Sequence, residues 1–191
     1  KTIIGTAKFQ SINKLEVKNA ESTTYISFEK AIISTGSVSK TIPILPEDSD
    51  RIMGSKQALE LNSVPEKLLV IGGGYIGLEM GMVYSTLGSK VTVVETLPHL
   101  LTGVDQDLVK PLQRKLSLQL ENIFLNSALI SGEENDKGVH IVLKTPNGEI
   151  PETYDTVLVS VGRKPNTGNL GLKNTGIEPD KKGFLPSTYM G

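Results

Sequence analysis

The chain has 191 residues, of which 38% are hydrophobic and 21% charged, with a formal net charge of −1. That is the make-up of an ordinary soluble globular protein, one good-sized domain or a domain carrying pieces of a second. Twenty Lys+Arg against 21 Asp+Glu with no basic run argue against a nucleic-acid surface, and the longest apolar run, residues 68–71, is far below the roughly 20 residues of a membrane span.

There is no Cys, so disulfides, thiolate chemistry and Cys-based metal sites are excluded within this chain. His99 and His140 are the only histidines, too few for a His-rich metal site. The N-terminus carries neither a charged n-region nor an apolar h-region, so it does not read as a signal peptide. It opens at Lys1 inside a strand pattern and closes on Tyr189-Met190-Gly191, which leads us to expect a piece of a longer protein. The 19 Gly and 10 Pro punctuate short elements rather than form a low-complexity tract, and no internal repeat is present.

In chain order, residues 2–9, 14–17, 24–28 and 30–35 read as short β-branched or alternating strands. Residues 36–54, with Pro43, Pro46 and several acids, read as a crossing loop, followed by a short helix over 55–61 with Ser55 as a possible N-cap. The pattern then becomes βαβ. Residues 67–71 form a continuous apolar strand suited to burial on both faces, 72–77 a glycine turn, and 75–87 a helix stopped by Gly88. A second strand spans 90–95. The next helix spans 105–120, with Asp105 and Asp107 at its positive end and Pro111 inside it, so a kink or a later start is expected. Residues 122–130 read as one strand, 139–144 and 149–154 as a hairpin around Pro146-Asn147-Gly148, and 156–161 as a last buried strand. From Gly162 the Gly- and Pro-rich tail reads as a return crossing.

The turn Gly72-Gly73-Gly74-Tyr75-Ile76-Gly77 carries the Gly-x-Gly-x-x-Gly spacing of a dinucleotide site. Alone that spacing is a weak signal. Here a buried strand precedes it, a helix follows, and the second strand ends in Glu95, 95 − 77 = 18 residues on, close to the expected acid. Gly72 permits the tight turn, Gly74 lets backbone approach a pyrophosphate, and Gly77 brings helix close to strand. Free N–H groups at the helix start would hold phosphate without a cationic side chain. Gly81 and Ser85 extend the small-residue stripe along the helix. Glu95 can accept hydrogen bonds from ribose hydroxyls and repels a 2′-phosphate, and Thr96-Leu97-Pro98 supply no Arg, so NAD is favoured over NADP. The competing reading is a purely structural turn beside a solvent-facing Glu.

Beyond the pattern, the wording of residues 69–81, of Val83-Tyr84 and of Leu87 to Glu95 closely resembles the dihydrolipoamide dehydrogenases, members of the FAD/NAD flavoprotein disulfide reductases. Ala58-Leu59-Glu60-Leu61, Val64-Pro65 and Val159-Ser160-Val161-Gly162-Arg163-Lys164-Pro165-Asn166 follow in the family's order, so the resemblance covers nearly the whole chain. It implies an α/β fold: a Rossmann-like NAD-binding domain with a β meander over 46–162, flanked by FAD-domain segments at 1–45 and 163–191. It implies NAD contacts at Gly72, Gly73, Gly74, Tyr75, Ile76, Gly77, Glu79, Glu95, Ala128 and Gly162, and FAD contacts at Ala7, Thr35, Gly36 and Ser37. Glu79 looks like the family's Glu near the nicotinamide–flavin contact, and Tyr75 matches a position that covers the flavin in some relatives. Bare residue chemistry gives Glu79 and Tyr75 the blander roles of solvated helix Glu and helix-start packing, and leaves Arg163 a surface charge at a crossing. The sequence departs from the family at Ala7, where a Gly usually precedes Lys8.

The family's first FAD glycine motif, its redox cysteine pair and its C-terminal His–Glu base are missing from these 191 residues, so no catalytic residue is assigned. The parent protein is expected to oxidise dihydrolipoyl groups of 2-oxo acid dehydrogenase complexes, with FAD and NAD as cofactors. It is expected to be a homodimer of bacterial cytoplasm or mitochondrial matrix, without a membrane or nucleic-acid partner. A related disulfide or mercuric reductase, a transhydrogenase flavoprotein, or a free-standing nucleotide-binding module are the alternatives.

Overall fold

A computed structural model describes residues 1–187. Two compact units emerge: Lys1–Val38 with Arg163–Gly191, and Ser39–Gly162.

The larger unit is built on a five-stranded parallel sheet of order β5-β12-β6-β7-β8. Its strands are β5 (Ile52–Met53), β6 (Lys67–Ile71), β7 (Lys90–Val94), β8 (Asn122–Phe124) and β12 (Thr156–Val159). Strands β6 and β7 are buried on both faces, which is why β6 reads as a continuous apolar run; β7 reads as alternating only because Thr92 interrupts its valines, and that threonine is buried too. Their side chains nevertheless divide by parity. Leu68, Val70, Val91 and Val93 pack with Leu78 and Tyr84 of α2 (Tyr75–Thr86) and Val109 and Leu116 of α3 (Gln106–Gln119). Leu69, Ile71 and Val94 face the other way, against Val139, Ile141 and Leu143 of an antiparallel meander. That meander runs β9 (Ala128–Asn135), β10 (Gly138–Thr145), β11 (Gly148–Tyr154), in the order β11-β10-β9. Helices cover one face of the sheet and the meander the other, with α1 (Ser55–Glu60) on the helical side through Ala58.

In the smaller unit, β1 (Thr6–Ser11), β2 (Lys14–Lys18) and β3 (Thr23–Ser27) form an antiparallel sheet. Phe9 and Val17 are its buried residues, and Phe9 meets Phe28 edge-on at 6.0 Å. The return segment docks on β1: Phe9 N–H donates to Leu170 O at 2.7 Å, and Asn174 Nδ2 donates to Phe9 O at 2.8 Å. A short ribbon pairs β4 (Ser37–Ser39) with β13 (Arg163–Pro165).

Several expectations are corrected. The strand read at 30–35 does not form; among the described residues no strand pairs with it, and Ile32 stays 93% exposed. The strand read at 2–9 begins only at Thr6. The crossing loop 36–54 contains β4 and β5. The single strand read at 122–130 is two, β8 and β9, because Asn126 adopts φ +49 between them and the chain leaves one sheet for another. Gly54, not Ser55, is the N-cap of α1, and its N–H donates to the Gln57 side chain at 3.2 Å. Pro111 does not delay α3, which begins at Gln106 after the N-cap Asp105; the Asp105 side chain makes no capping bond. In the hairpin, Pro146 and Asn147 are the central residues between the paired Thr145 and Gly148, and Gly148 takes φ +118. The final residues of the return segment, 188–191, lie outside the described residues.

Candidate functional site

The strand order reverses at β6: β7 and β8 lie on one side, β12 and β5 on the other. In open parallel sheets the crevice at such a switch point, beyond the carboxyl ends of the strands, is where ligands bind. The glycine turn follows β6 at this end, and Glu95 and Ser160 follow β7 and β12.

The turn is tied at every polar group of its first two residues. Gly72 N–H donates to Val94 O at 2.8 Å, and Gly72 O accepts from Ser160 Oγ at 3.2 Å. Gly73 N–H donates to Glu95 Oε2 at 2.7 Å, and Gly73 O accepts from Leu101 N–H at 3.0 Å. Gly72 sits at φ +111, and a Cβ there would lie 2.6 Å from Ser160 O. A Cβ on Gly73 would lie 2.6 Å from Leu100, and one on Gly77 would collide with Gly72 O and reach Ser160 Oγ at 2.5 Å. Gly74 differs: nothing lies within 4 Å of where its Cβ would be. Open space within the turn is therefore at Gly74, while Gly72, Gly73 and Gly77 are dictated by packing.

Gly74 is the N-cap of α2 and has no side chain to cap it, so the N–H groups of Tyr75 and Ile76 begin the helix without an internal acceptor. Tyr75 is 66% exposed, and Glu79 is exposed one turn on. Along the buried face run Gly77, Leu78, Gly81 and Tyr84. Ser85 does not continue that stripe: its hydroxyl donates to Gln119 O of α3 at 2.9 Å.

Glu95 is half-buried rather than solvent-facing. Besides Gly73 N–H, its carboxylate accepts from Leu97 N–H at 2.9 Å and Thr96 Oγ at 3.2 Å, both to Oε1. Beside it, Ser127 N–H donates to Glu95 O at 3.0 Å, which puts Ala128 at the start of β9 next to the end of β7. Gly162, at φ +107 and exposed, closes the larger unit. Gly72 to Gly77, Glu95, Ala128 and Gly162 are thus all carried by the chain segments that leave the carboxyl ends of the sheet strands.

In the smaller unit, Ala7 is half-buried on β1 opposite Val17. Thr35 O accepts from Asn166 Nδ2 at 3.1 Å, and Gly36, at φ +68, accepts from Asn166 N–H at 3.0 Å. Arg163 is more than a surface charge: Nε donates to Ser37 Oγ at 2.7 Å and Nη2 to Ser37 O at 2.6 Å. Arg163 and Asn166 therefore hold the Thr35-Gly36-Ser37 turn from 126 or more residues away in sequence.

Sequence reasoning missed Ser160, Leu100 and Leu101 as supports of the turn. The one available signal was a small polar residue ending a buried strand; nothing in the sequence links position 160 to position 72. Among the described residues no cluster of potential metal ligands occurs, and no helix is long and apolar enough to cross a membrane.

The family model for pyridine nucleotide-disulphide oxidoreductases matches residues 1–188. A dihydrolipoyl dehydrogenase of Buchnera aphidicola is 39% identical over 185 residues, 96% of this chain and 39% of that protein. A dihydrolipoamide dehydrogenase of Chaetomium thermophilum is 41% identical, covering 94% of this chain and 36% of its own length. Among solved structures, the flavoprotein disulfide reductase RclA of Escherichia coli, in its Cu(II) complex, aligns with TM-score 0.82 at 28% identity, over 95% of this chain and 41% of that one. LpdA of Mycobacterium tuberculosis aligns with TM-score 0.84 at 25% identity, over 97% and 41%. The chain spans about two fifths of the length of the curated relatives it matches.

Proposed function

This chain belongs to the pyridine nucleotide-disulphide oxidoreductase family, and from that premise we propose that it is the dinucleotide-binding portion of a dihydrolipoamide dehydrogenase. Residues 46–162 bind NAD, and residues 1–45 and 163–191 contribute to an FAD-binding domain. The observation that carries this reading is the tied glycine turn, which leaves open space at Gly74 where α2 begins without a side-chain cap, one residue from the Gly73–Glu95 hydrogen bond.

The donors fit a pyrophosphate. The N–H groups of Tyr75 and Ile76, aided by the dipole of α2, hold phosphate oxygens, and Gly74 lets the backbone come close. Glu95, with three hydrogen bonds already accepted, keeps a lone pair on Oε2 for an adenosine ribose hydroxyl and repels a 2′-phosphate, which no Arg at residues 96–98 would neutralise. Glu79, Ala128 and Gly162 are assigned to the NAD site on the family resemblance; Glu79 is exposed on α2, and Ala128 and Gly162 follow the carboxyl ends of β8 and β12. Ala7, Thr35, Gly36 and Ser37 offer FAD a backbone surface, and the open space around Gly36 is compatible with that use. Bound FAD and NAD supply the electron relay and the hydride acceptor, and the contribution of these residues is binding and orientation.

In the whole protein the reaction is oxidation of dihydrolipoyl groups carried by 2-oxo acid dehydrogenase complexes, by a homodimer. Named relatives include bacterial and mitochondrial enzymes, so bacterial cytoplasm or mitochondrial matrix is the proposed compartment. The likeness to RclA supports a second reading, a flavoprotein reductase acting on another substrate.

Calorimetric titration of the chain with NADH and with NADPH tests the cofactor assignment. A clear preference for NADH is expected. Equal or tighter NADPH binding removes the role of Glu95, and binding of neither removes the nucleotide reading of this turn.

A further inference from the structure

Ser160 is assigned no contact with NAD, yet its side chain occupies a constrained place beneath the glycine turn. It follows β12 directly, and its N–H extends the ladder to Ile71 O at 2.8 Å. Its hydroxyl proton is shared between Ile71 O at 3.0 Å and Gly72 O at 3.2 Å. Ile71 O already receives the Ser160 N–H, whereas the hydroxyl is the donor that reaches Gly72 O. The same Oγ would stand 2.5 Å from a Cβ on Gly77, so the hydroxyl fills the space that this glycine leaves between helix and strand.

The opposite pole of that peptide is held too. The bond joining Gly72 to Gly73 has its C=O on Ser160 and its N–H on Glu95 Oε2, at 3.2 and 2.7 Å. Both poles are tied, so the peptide plane cannot rotate without losing a partner. Orientation matters for an anion. A carbonyl oxygen turned toward the crevice would repel phosphate, whereas a carbonyl held beneath the turn leaves the field to the N–H groups of the helix start.

We infer that Ser160 is a positioning residue for the dinucleotide: with Glu95 it clamps the Gly72–Gly73 peptide so that the turn presents no carbonyl to the pyrophosphate. The inference rests on the NAD reading of the turn. Glu95 alone does not suffice, since it holds the N–H pole and leaves the carbonyl without a donor. Substitution of Ser160 by Ala removes the hydroxyl and keeps the strand, its backbone ladder and the packing of Cβ.

The test uses the full chain, wild type and Ser160→Ala, with two readouts. Amide hydrogen exchange at Gly73 without ligand reads the clamp itself, and it is expected to speed up in the variant by about three- to tenfold, the worth of one neutral hydrogen bond. The dissociation constant for NADH is expected to rise by a similar factor of about three to ten, while that for adenosine, which carries no phosphate, stays unchanged. An overall loosening of the unit would instead weaken both ligands together. Unchanged exchange at Gly73 overturns the clamp. Faster exchange with unchanged NADH affinity overturns its role in binding, as does an equal loss for adenosine. If the wild-type chain itself binds no NADH, the cofactor reading fails, and this result is separate from any difference between wild type and variant.

Discussion

Two glycines of α2, one turn apart on the same buried face, should respond to alanine in opposite ways. At Gly77 a new Cβ would collide with Gly72 O, stand 2.5 Å from Ser160 Oγ and 3.1 Å from Val70 Cγ1. The first obstacle is backbone, so relief requires displacing the turn. Overpacking of this kind costs about 1–3 kcal/mol, and the upper part of that range applies where the obstacle cannot rotate away. Helix propensity returns up to about 1 kcal/mol, leaving a net loss of about 2 kcal/mol. For a chain of this size that is a fall in Tm of roughly 4–8 °C. At Gly81 the new Cβ would meet Val91, Val70 and Val93 at 3.5, 3.9 and 4.0 Å, ordinary contact distances. Here only propensity and unfolded-chain entropy act, so Gly81→Ala is expected to gain about 0.5–1 kcal/mol, a rise of roughly 1–4 °C. Differential scanning calorimetry on both variants decides the matter. A Gly77→Ala protein that melts at or above wild type would refute the close approach of helix and turn, and a destabilised Gly81→Ala would refute the spacing of α2 over β6 and β7.

Replacing Glu95 by Ala deprives the Gly73 and Leu97 N–H groups of a charged acceptor, and urea titration should show a loss of about 1–3 kcal/mol. Glu95→Gln, which keeps an acceptor oxygen, should lose less, and equal losses would count against the clasp. Both variants should also shift binding preference toward NADPH in a competition titration. Tyr84 is buried and its hydroxyl donates to Ala58 O at 2.9 Å, so Tyr84→Phe leaves that carbonyl without its donor; a loss of about 1–2 kcal/mol with faster amide exchange in α1 is expected, and unchanged exchange would place the tie elsewhere. Burial raises the phenol of Tyr154 well above its usual value, and a hydrogen bond and charge from Glu152 raise the Lys67 ammonium. Both groups are held in their protonated forms by the fold, so their contribution is full below the unfolded values of 10.0 and 10.5 and is lost as pH rises above them. Tyr154→Phe should therefore flatten the alkaline limb of a Tm-against-pH profile above about pH 10, and an unchanged limb would remove Tyr154 as its cause.

The parts of this protein visible in its sequence are those set by local periodicity and backbone chemistry. Residues 67–71 could be read as β6 because a run buried on both faces needs no alternation, and α2 could be ended at Gly88 because that residue takes φ +108 where a side chain would be strained. The glycine turn and the acid after β7 were legible because their spacing is imposed by one βαβ unit, a short stretch of chain. Other features depended on partners far away in sequence. Residues 30–35 have a strand's composition but no paired strand among the described residues, and periodicity cannot reveal that, since a strand's hydrogen bonds lie outside itself. The division of 122–130 into β8 and β9 followed from two different sheets claiming its two ends. The supports of the site are of the same kind. Ser160 reaches Gly72 across 88 residues and Arg163 reaches Ser37 across 126, and only the packing of non-neighbouring strands brings such pairs within hydrogen-bond distance. The sequence alone determined where the glycine turn stands between β6 and α2; the tertiary structure decided which way its backbone faces, because each pole of the Gly72–Gly73 peptide is held by a group from another part of the chain.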